Sequence, residues 1–561
     1  MLRETKWLVL FLALFSSAAI FAQQPQVINL NPSEQNLLEE VSPPSLENLV
    51  NQLKTATLKQ KIDLVKQITL FKEDKRSRLI LNSLLKAKLY YARAEPQQVY
   101  ALEKTNNGIS VTDVLSEEKS DQIKKSSLKK IGVNNRLRKL LRISIAHLDL
   151  SSDQTSTRLK AVKTISKQLN PDSITLLKTQ LLKESDKNII AIIETALAAS
   201  NLQAQDQPTR LQAIATLSES LEMSHNLALK KLLQKDSNGN YLEQNSDIVS
   251  AANKAIIKIE SRISFYENIQ TLFFGLSLGS VLVLAAIGLA ITFGVMGVIN
   301  MAHGELIMLG AYTTYVIQLM MPEHIDTSLF LAIPAAFMVS GLFGILIERG
   351  VIKFLYGRPL ETLLATFGIS LILQQLVRTV FSPLNRSVST PSWMSGSVEF
   401  NSVLSLTLNR LYIIGFTILV FLILLTILKK TRLGLEVRAV SQNRPMAKAM
   451  GIKTEWVDAM TFGLGSGIAG VAGVALSQLT NVGPNLGQAY IIDSFMVVVF
   501  GGVGNLWGTL ISGLSLGVAN KYLEPYAGAV LAKILVLVFI IVFIQKRPRG
   551  LFPQKGRAAE S

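Results

Sequence analysis

The residues best placed to do chemistry are Asn300, His303 and Glu305, in the stretch GVMGVINMAHGELIMLGAY (294–312), which has apolar sequence on both sides. A charged side chain at bilayer depth costs about 2.5–3.5 kcal/mol even on the mildest scale, so the cluster needs a reason. One reading is a backbone break, helped by Gly294, Gly297 and Gly304, that lines a translocation path or its inner gate. Asn300 and His303 would then offer hydrogen bonds, with Glu305 at the start of the next span. The other reading is a plain turn, in which Glu305 complements the positive end of a helix. Thr366, Ser370 and Gln374, with Gln375 beside it, form a second polar set within an apolar run. It reads either as part of the same path or as hydrogen bonding between helices.

Other chemistries are thinly supplied. The chain has no Cys, which excludes disulfides, thiolate metal sites and a Cys nucleophile. His147 and His225 have no acidic or Cys partners at metal-ligand spacing and read as ordinary residues. GLSLG occurs at 275–279 and again at 513–517, each fitting the G-x-S-x-G pattern. A nucleophile elbow needs a strand–turn–helix setting with His and acid partners. Inside apolar helices the paired glycines support close packing instead. The dipeptide Gly-Lys is absent, so the chain has no P-loop with which to hydrolyse ATP.

The elements that must hold these residues fall into two halves. Of 561 residues 49% are hydrophobic and the formal charge is +17, but the averages conceal a change near residue 268. Before it, Lys, Gln, Asn and Ser abound; after it come long apolar blocks. Lys and Arg are spread over helical faces and loops without an aromatic-interleaved patch, which argues against nucleic-acid binding. At the start, Arg3 and Lys6 precede an apolar core, and small residues lead to Ala22. This is the pattern of a signal peptide over 1–22, the alternative being an uncleaved anchor. Residues 23–268 then read as an exported, all-helical domain. Apolar residues recur at helical spacing over 45–71, and Asn170-Pro171 marks a helix start. TRLKAVKTIS (157–166) resembles TRLQAIATLS (209–218), as in HEAT-like helix-pair repeats.

Residues 269–555 read as a permease-like membrane domain of eight or nine spans, with 556–561 a tail. The apolar segments are 271–293, 305–321, 329–348, 360–381, 411–428, 458–479, 491–522 and 527–544. Basic clusters at Arg349–Arg358, Lys429–Lys453 and Lys546–Arg549 mark the cytoplasmic side, placing the start of the first span outside and the C-terminus inside. That parity requires 491–522 to be a discontinuous helix broken at FGGVGNLWG (500–508), with Gly501, Gly502 and Gly504 at the break. The charged loop 429–456 contains a segment, Glu436 to Met450, able to form an amphipathic helix interrupted at Pro445. It suits docking onto a soluble partner, or it is a solvated loop that sets topology.

Residues 275–312 resemble the first membrane segment of the branched-chain amino-acid and urea/amide ABC importer permeases. TRLGLEVRAVSQNRPMAKAMGI (431–452) is similar to the ATPase-coupling loop of that family, and FGGVGNLWGTLISG (500–513) and RPRGLF (547–552) to its later signatures. The resemblance covers roughly 270–555. It implies an all-α polytopic permease of the inner membrane that is not itself an enzyme. It further implies a second permease subunit, two ATP-binding subunits that use ATP and Mg, and a periplasmic substrate-binding protein. No cofactor is expected on this chain. Glu436, Arg438, Ala439 and Gly451 match the family's coupling pattern. The exported extension is absent from the short amino-acid permeases and resembles that of the extended urea ABC transporter permeases of many Gram-negative bacteria. Urea or a short amide is therefore the expected substrate, a branched-chain amino acid the alternative, and a passive channel or an intramembrane hydrolase the readings of other classes.

Overall fold

The computed structural model describes residues 45–552 apart from 73, 94–97, 106–107 and 121–126. The expected leader over 1–22 and the tail over 556–561 lie outside the described residues. The chain forms two compact units, one ending at Ala204 and one beginning at Gln205.

In the first unit the helical spacing over 45–71 becomes α1 (Leu46–Gln52) and α2 (Leu58–Ile68), followed by α3 (Lys75–Leu85). Ser45, Thr57 and Asp74 cap their N-termini, Thr57 in a reciprocal capping box with Gln60. The expectation of an all-helical region then fails. Five antiparallel strands follow: β1 (Leu89–Ala92), β2 (Val99–Thr105), β3 (Gly108–Asp113), β4 (Lys119–Ser120) and β5 (Leu128–Lys130), in the order β4-β3-β2-β1-β5. The physical reason is burial on both faces. Leu89, Val99 and Ala101 pack on the helices, while Tyr100, Leu102, Val111 and Leu128 form a second cluster. In β1 (LYYA) and the start of β2 (VYAL) an apolar run without alternation carries no strand period, so spacing alone does not separate it from a buried helix, whereas β3 (GISVTD) does alternate. Helices resume with α4 (Asn135–Asp149), α5 (Thr155–Ser166), α6 (Pro171–Leu181) and α7 (Lys187–Asn201). Asn170 caps α6 and Pro171 opens its first turn.

The second unit opens with α8 (Gln207–Leu217) and α9 (Met223–Leu232). The two similar ten-residue stretches bury the same positions: Ala161, Val162 and Ile165 in α5, and Ala213, Ile214 and Leu217 in α8. Each also places an Arg in an ion pair with a later Glu, Arg158 with Glu184 and Arg210 with Glu243. Next comes α10 (Ser246–Met296), 51 residues without a break, so the change of composition at 268 falls inside one helix.

After α10 come α11 (His303–Met320), α12 (Ile325–Gly350), α13 (Pro359–Phe381), a short hairpin of β6 (Ser397–Glu399) and β7 (Ser405–Thr407), and α14 (Leu408–Lys430). Two short helices, α15 (Arg432–Gln442) and α16 (Arg444–Ala449), lead to α17 (Thr454–Ser477), α18 (Leu486–Gly501) and α19 (Leu506–Lys546). Six of these, α10, α12, α13, α14, α17 and α19, are long and apolar enough to cross a membrane. The segment read as 491–522 is two helices, α18 and the first part of α19. The last long helix is itself broken, with Pro525 inside it and Gly528 at φ 77°. Glycines let α17 approach its neighbours closely. A Cβ at Gly470 would lie 2.5 Å from Ala336 O, and one at Gly465 2.7 Å from Gly288 O.

Candidate functional site

The polar cluster is built where α11 begins, and that point lies inside the bundle. His303 Nε2 is 2.9 Å from the carbonyl oxygen of Ala285. Ala285 is eleven residues before the end of α10, about 16 Å at 1.5 Å per residue. Residues 297–302 therefore carry the chain back into the bundle before α11 starts. Gly297, at φ 67°, makes the turn. Such a break is tolerated at membrane depth only where protein or a wet cavity covers it.

Each residue of the first turn of α11 meets a different helix. His303 meets α10 through Ala285. Gly304 meets α18: a Cβ on it would lie 2.6 Å from Gly487 O. Glu305 meets α13, with Oε1 accepting from Ser370 Oγ at 2.9 Å and Gln374 Nε2 at 2.7 Å. The Leu306 carbonyl accepts from Ser340 Oγ of α12 at 2.9 Å. Thr366 Oγ1 accepts from the Met301 N–H at 3.1 Å, and Asn300 Oδ1 from the Ala302 N–H at 3.0 Å. All six expected path residues thus come together, and Asn300, His303, Glu305, Thr366, Ser370 and Gln374 are all buried. Gln375, beside them in sequence, is exposed.

Three atoms of the cluster have no hydrogen-bond partner among the described residues: Asn300 Nδ2, His303 Nδ1 and Glu305 Oε2. Their chemistry follows from their neighbours. The Ala285 carbonyl can only accept, so His303 Nε2 carries the proton and Nδ1 of the neutral ring is an acceptor. With the Glu305 carboxylate ionised, two acceptors and one donor are left over, in a setting where an unpaired polar group costs about 1–3 kcal/mol.

Gly487 belongs to a partner that sequence reading missed. It lies in the first turn of α18, which also begins inside the bundle, opposite Gly304. Two helix N-termini therefore meet there, and each carries the positive end of a helix dipole. The signal was present in GPNLGQ (483–488), a small-residue break, but it sat at the edge of an apolar block and carried no charge. Arg378 of α13 holds this second entry, with Nη2 donating to Asn485 Oδ1 at 2.8 Å.

The break after α18 is local and glycine-dependent. Gly502 and Gly504 have φ of 101° and 77°. Gly501 lies against Gly508, where a Cβ would be 2.5 Å from the Gly508 carbonyl carbon. The two GLSLG copies pack on one another: Cβ atoms on Gly275 and Gly279 would each come within 2.7 Å of backbone at Val518 and Leu514. Both serines sit on helices, Ser277 buried and Ser515 exposed. This is packing geometry, without the strand-to-helix turn of a hydrolase elbow.

The loop after α14 folds differently from the helix expected between Glu436 and Met450. The interruption is at Asn443, which is extended at φ −152° and caps α16, and Pro445 sits in the first turn of α16. Proline is favoured there because its missing N–H would be unpaired anyway. Val437, Val440, Ala447 and Val457 form a small core with Ala439 against it. Glu436 pairs with Arg432 at 2.9 Å, and Arg438 reaches back to the Leu428 carbonyl. Gly451 turns the chain at φ 86° with no other atom near its Cβ position. Leu435, Met446, Met450 and Trp456 are each more than half exposed, which leaves this segment with an apolar outer surface.

Comparison with known proteins decides the class. The family of the branched-chain amino acid transport system permease component matches residues 271–544. The high-affinity branched-chain amino acid transport system permease protein LivH of Salmonella typhimurium is 33% identical over 295 residues, 50% of this chain and 94% of that protein. The chain belongs to this permease family. The permease is also 30% identical to the BraD protein of Pseudomonas aeruginosa over 51% of this chain and 96% of that one. It is 25% identical to the ribose import permease protein RbsC of Escherichia coli over 54% and 95%. No solved structure matches it. It is thus a multi-pass inner-membrane permease subunit and not itself an enzyme. Its family implies a partner permease, ATPase subunits and a binding protein.

Proposed function

We propose that the permease forms, with a second permease subunit, the path of an ATP-driven importer for urea or a short amide. Two ATP-binding subunits, which carry the ATP and Mg, dock on the segment containing Glu436, Arg438, Ala439 and Gly451, and this chain binds no cofactor. A periplasmic binding protein delivers the solute to the face where α10 enters. The N-terminal region lies on that side and the C-terminus in the cytoplasm.

The observation that carries the reading is the unpartnered set at the start of α11. Glu305 Oε2 and His303 Nδ1 accept, and Asn300 Nδ2 donates. A small solute with N–H groups on two nitrogens and one carbonyl oxygen complements it. The region before residue 271, outside the match to the shorter relatives, favours urea. The second reading is a branched-chain amino acid, favoured by the names of LivH and BraD. An ammonium group would satisfy the same acceptors, and two helix N-termini suit a carboxylate.

Uptake of labelled urea and labelled leucine, in cells lacking this chain and in cells complemented with it, separates the two. Loss of urea uptake alone supports the urea reading. Loss of leucine uptake alone transfers the assignment to the second. Uptake that survives inactivation of the ATPase subunits would support a passive channel.

A further inference from the structure

Beside the apolar core that Val437, Val440 and Ala447 form with Val457 of α17, one polar side chain joins the segment after α14 to two of the elements that hold the polar cluster. Arg444 is the first residue of α16. Its guanidinium forks onto Asp458 of α17, with Nη1 at 3.3 Å from Oδ1 and Nη2 in closer contact with Oδ2. It also lies over the ring of Tyr356, 3.9 Å from the centroid, and Nη1 donates to the Tyr356 hydroxyl. The Asp458 side chain is only 3% exposed, so its charge has little water to fall back on. A planar guanidinium can fork and stack at once; an ammonium cannot.

Both anchors lead to the polar cluster. Asp458 lies in the second turn of α17, whose Gly465, Gly470 and Gly473 press on α10 and α11. Tyr356 stands in the connection between α12 and α13, three residues before α13 begins. Further along α13, Thr366 holds Met301, and Ser370 and Gln374 hold Glu305. The two routes leave one residue and meet again in and just before the first half of α11, through α13 at Met301 and Glu305 and through α17 at Ile307 and Gly310. On the other faces of the segment, Arg432 pairs only locally with Glu436, and Leu435 and Met450 are exposed.

We propose that Arg444 is the positioning residue that transmits movement of the α15–α16 segment to the polar cluster. It acts through Asp458 on α17 and through Tyr356 on α13. This rests on the proposed role of the segment as the ATPase-docking element. Arg444 touches neither ATP nor solute, so its loss should change how much solute moves per ATP rather than whether the complex forms.

The test uses the whole importer, with both permeases, the ATPases and the binding protein, in proteoliposomes, with labelled urea and labelled leucine as probes. ATP hydrolysis and uptake are read together. Arg444→Ala should leave ATPase co-purification and the hydrolysis rate near wild type. Uptake per ATP should fall by about five- to tenfold, within the range of coupling effects seen along packed networks. Arg444→Lys should recover only part of that, since the fork and the stacking are lost. Arg444→Ala leaves Asp458 buried and unpaired, which endangers folding. The double variant Arg444→Met with Asp458→Asn removes both charges, keeps the volume, and should show the same loss. Uptake per ATP equal to wild type in either folded variant overturns the proposal. Wild-type uptake that needs no ATP would instead overturn the coupled-importer reading, and this inference with it.

Discussion

Gly304→Ala is the sharpest test of the central geometry. An ideal Cβ on Gly304 lies 2.6 Å from O, 2.8 Å from C and 3.3 Å from Cα of Gly487. All three atoms are backbone, so no rotamer change relieves the contact. Ordinary contact begins near 3.4 Å, so α11 and α18 must part by about 0.8 Å (3.4 − 2.6). Overpacking of this kind costs about 1–3 kcal/mol. Glu305 is the next residue and would move with the helix. If α11 takes up the whole movement, its bonds from Ser370 and Gln374, now 2.9 and 2.7 Å, stretch to as much as about 3.5–3.7 Å, beyond useful hydrogen-bond length. The assay pairs thermal unfolding of the purified permease with uptake normalised to inserted protein. The midpoint should drop, and uptake should fall by a larger factor than the amount of protein. Gly368→Ala and Gly415→Ala are the controls. Both glycines are helical with nothing within 4 Å of their Cβ positions. If Gly304→Ala proved as stable and as active as the controls, the close approach of the two helix starts would be wrong.

Three further outcomes are expected. Glu305→Gln keeps an acceptor for Ser370 but puts an amide where Oε2 or Oε1 stood; assembly should be unchanged and uptake reduced by about tenfold, near the upper end of what one ordinary hydrogen bond is worth. Wild-type uptake in that variant would remove Glu305 from the path. At Gly451 the constraint is φ 86° rather than space, so Gly451→Ala should uncouple uptake from hydrolysis nearly as much as Gly451→Leu, because the cost of about 1–3 kcal/mol lies in the backbone. A harmless Ala with a harmful Leu would mean a clash instead. In the first unit, the fork from Arg158 holds the Glu184 carboxyl down to about 2 from 4.5. The stability this contributes, about 3 kcal/mol, is present above pH 4.5 and lost as pH falls toward 2. Hydrogen exchange of α5–α7 in the full chain, corrected for intrinsic rates, should show the loss over that window. Arg158→Ala should flatten it, and an unchanged profile in that variant would show that another group sets the acid limit.

What the sequence could determine about this permease followed from composition and local chemistry. Runs of apolar residues long enough to cross a membrane are legible because bilayer thickness sets their length. The break at Gly502 and Gly504 was legible because left-handed backbone calls for glycine. The cluster at Asn300, His303 and Glu305 stood out because polar groups among apolar residues are costly wherever they end up. Other features depended on which surfaces meet. β1 and the start of β2 were hidden because tertiary burial on both faces erases the period of two. The early start of α18, at Leu486 rather than 491, was hidden because Gly487 declares itself only when Gly304 arrives opposite. No spacing in the chain pairs Glu305 with Ser370 and Gln374, more than sixty residues away. Nor does any spacing place Arg444 between Asp458 and Tyr356. A hydrogen bond between distant residues is decided by the packing of whole helices, and that packing exists only in the folded bundle.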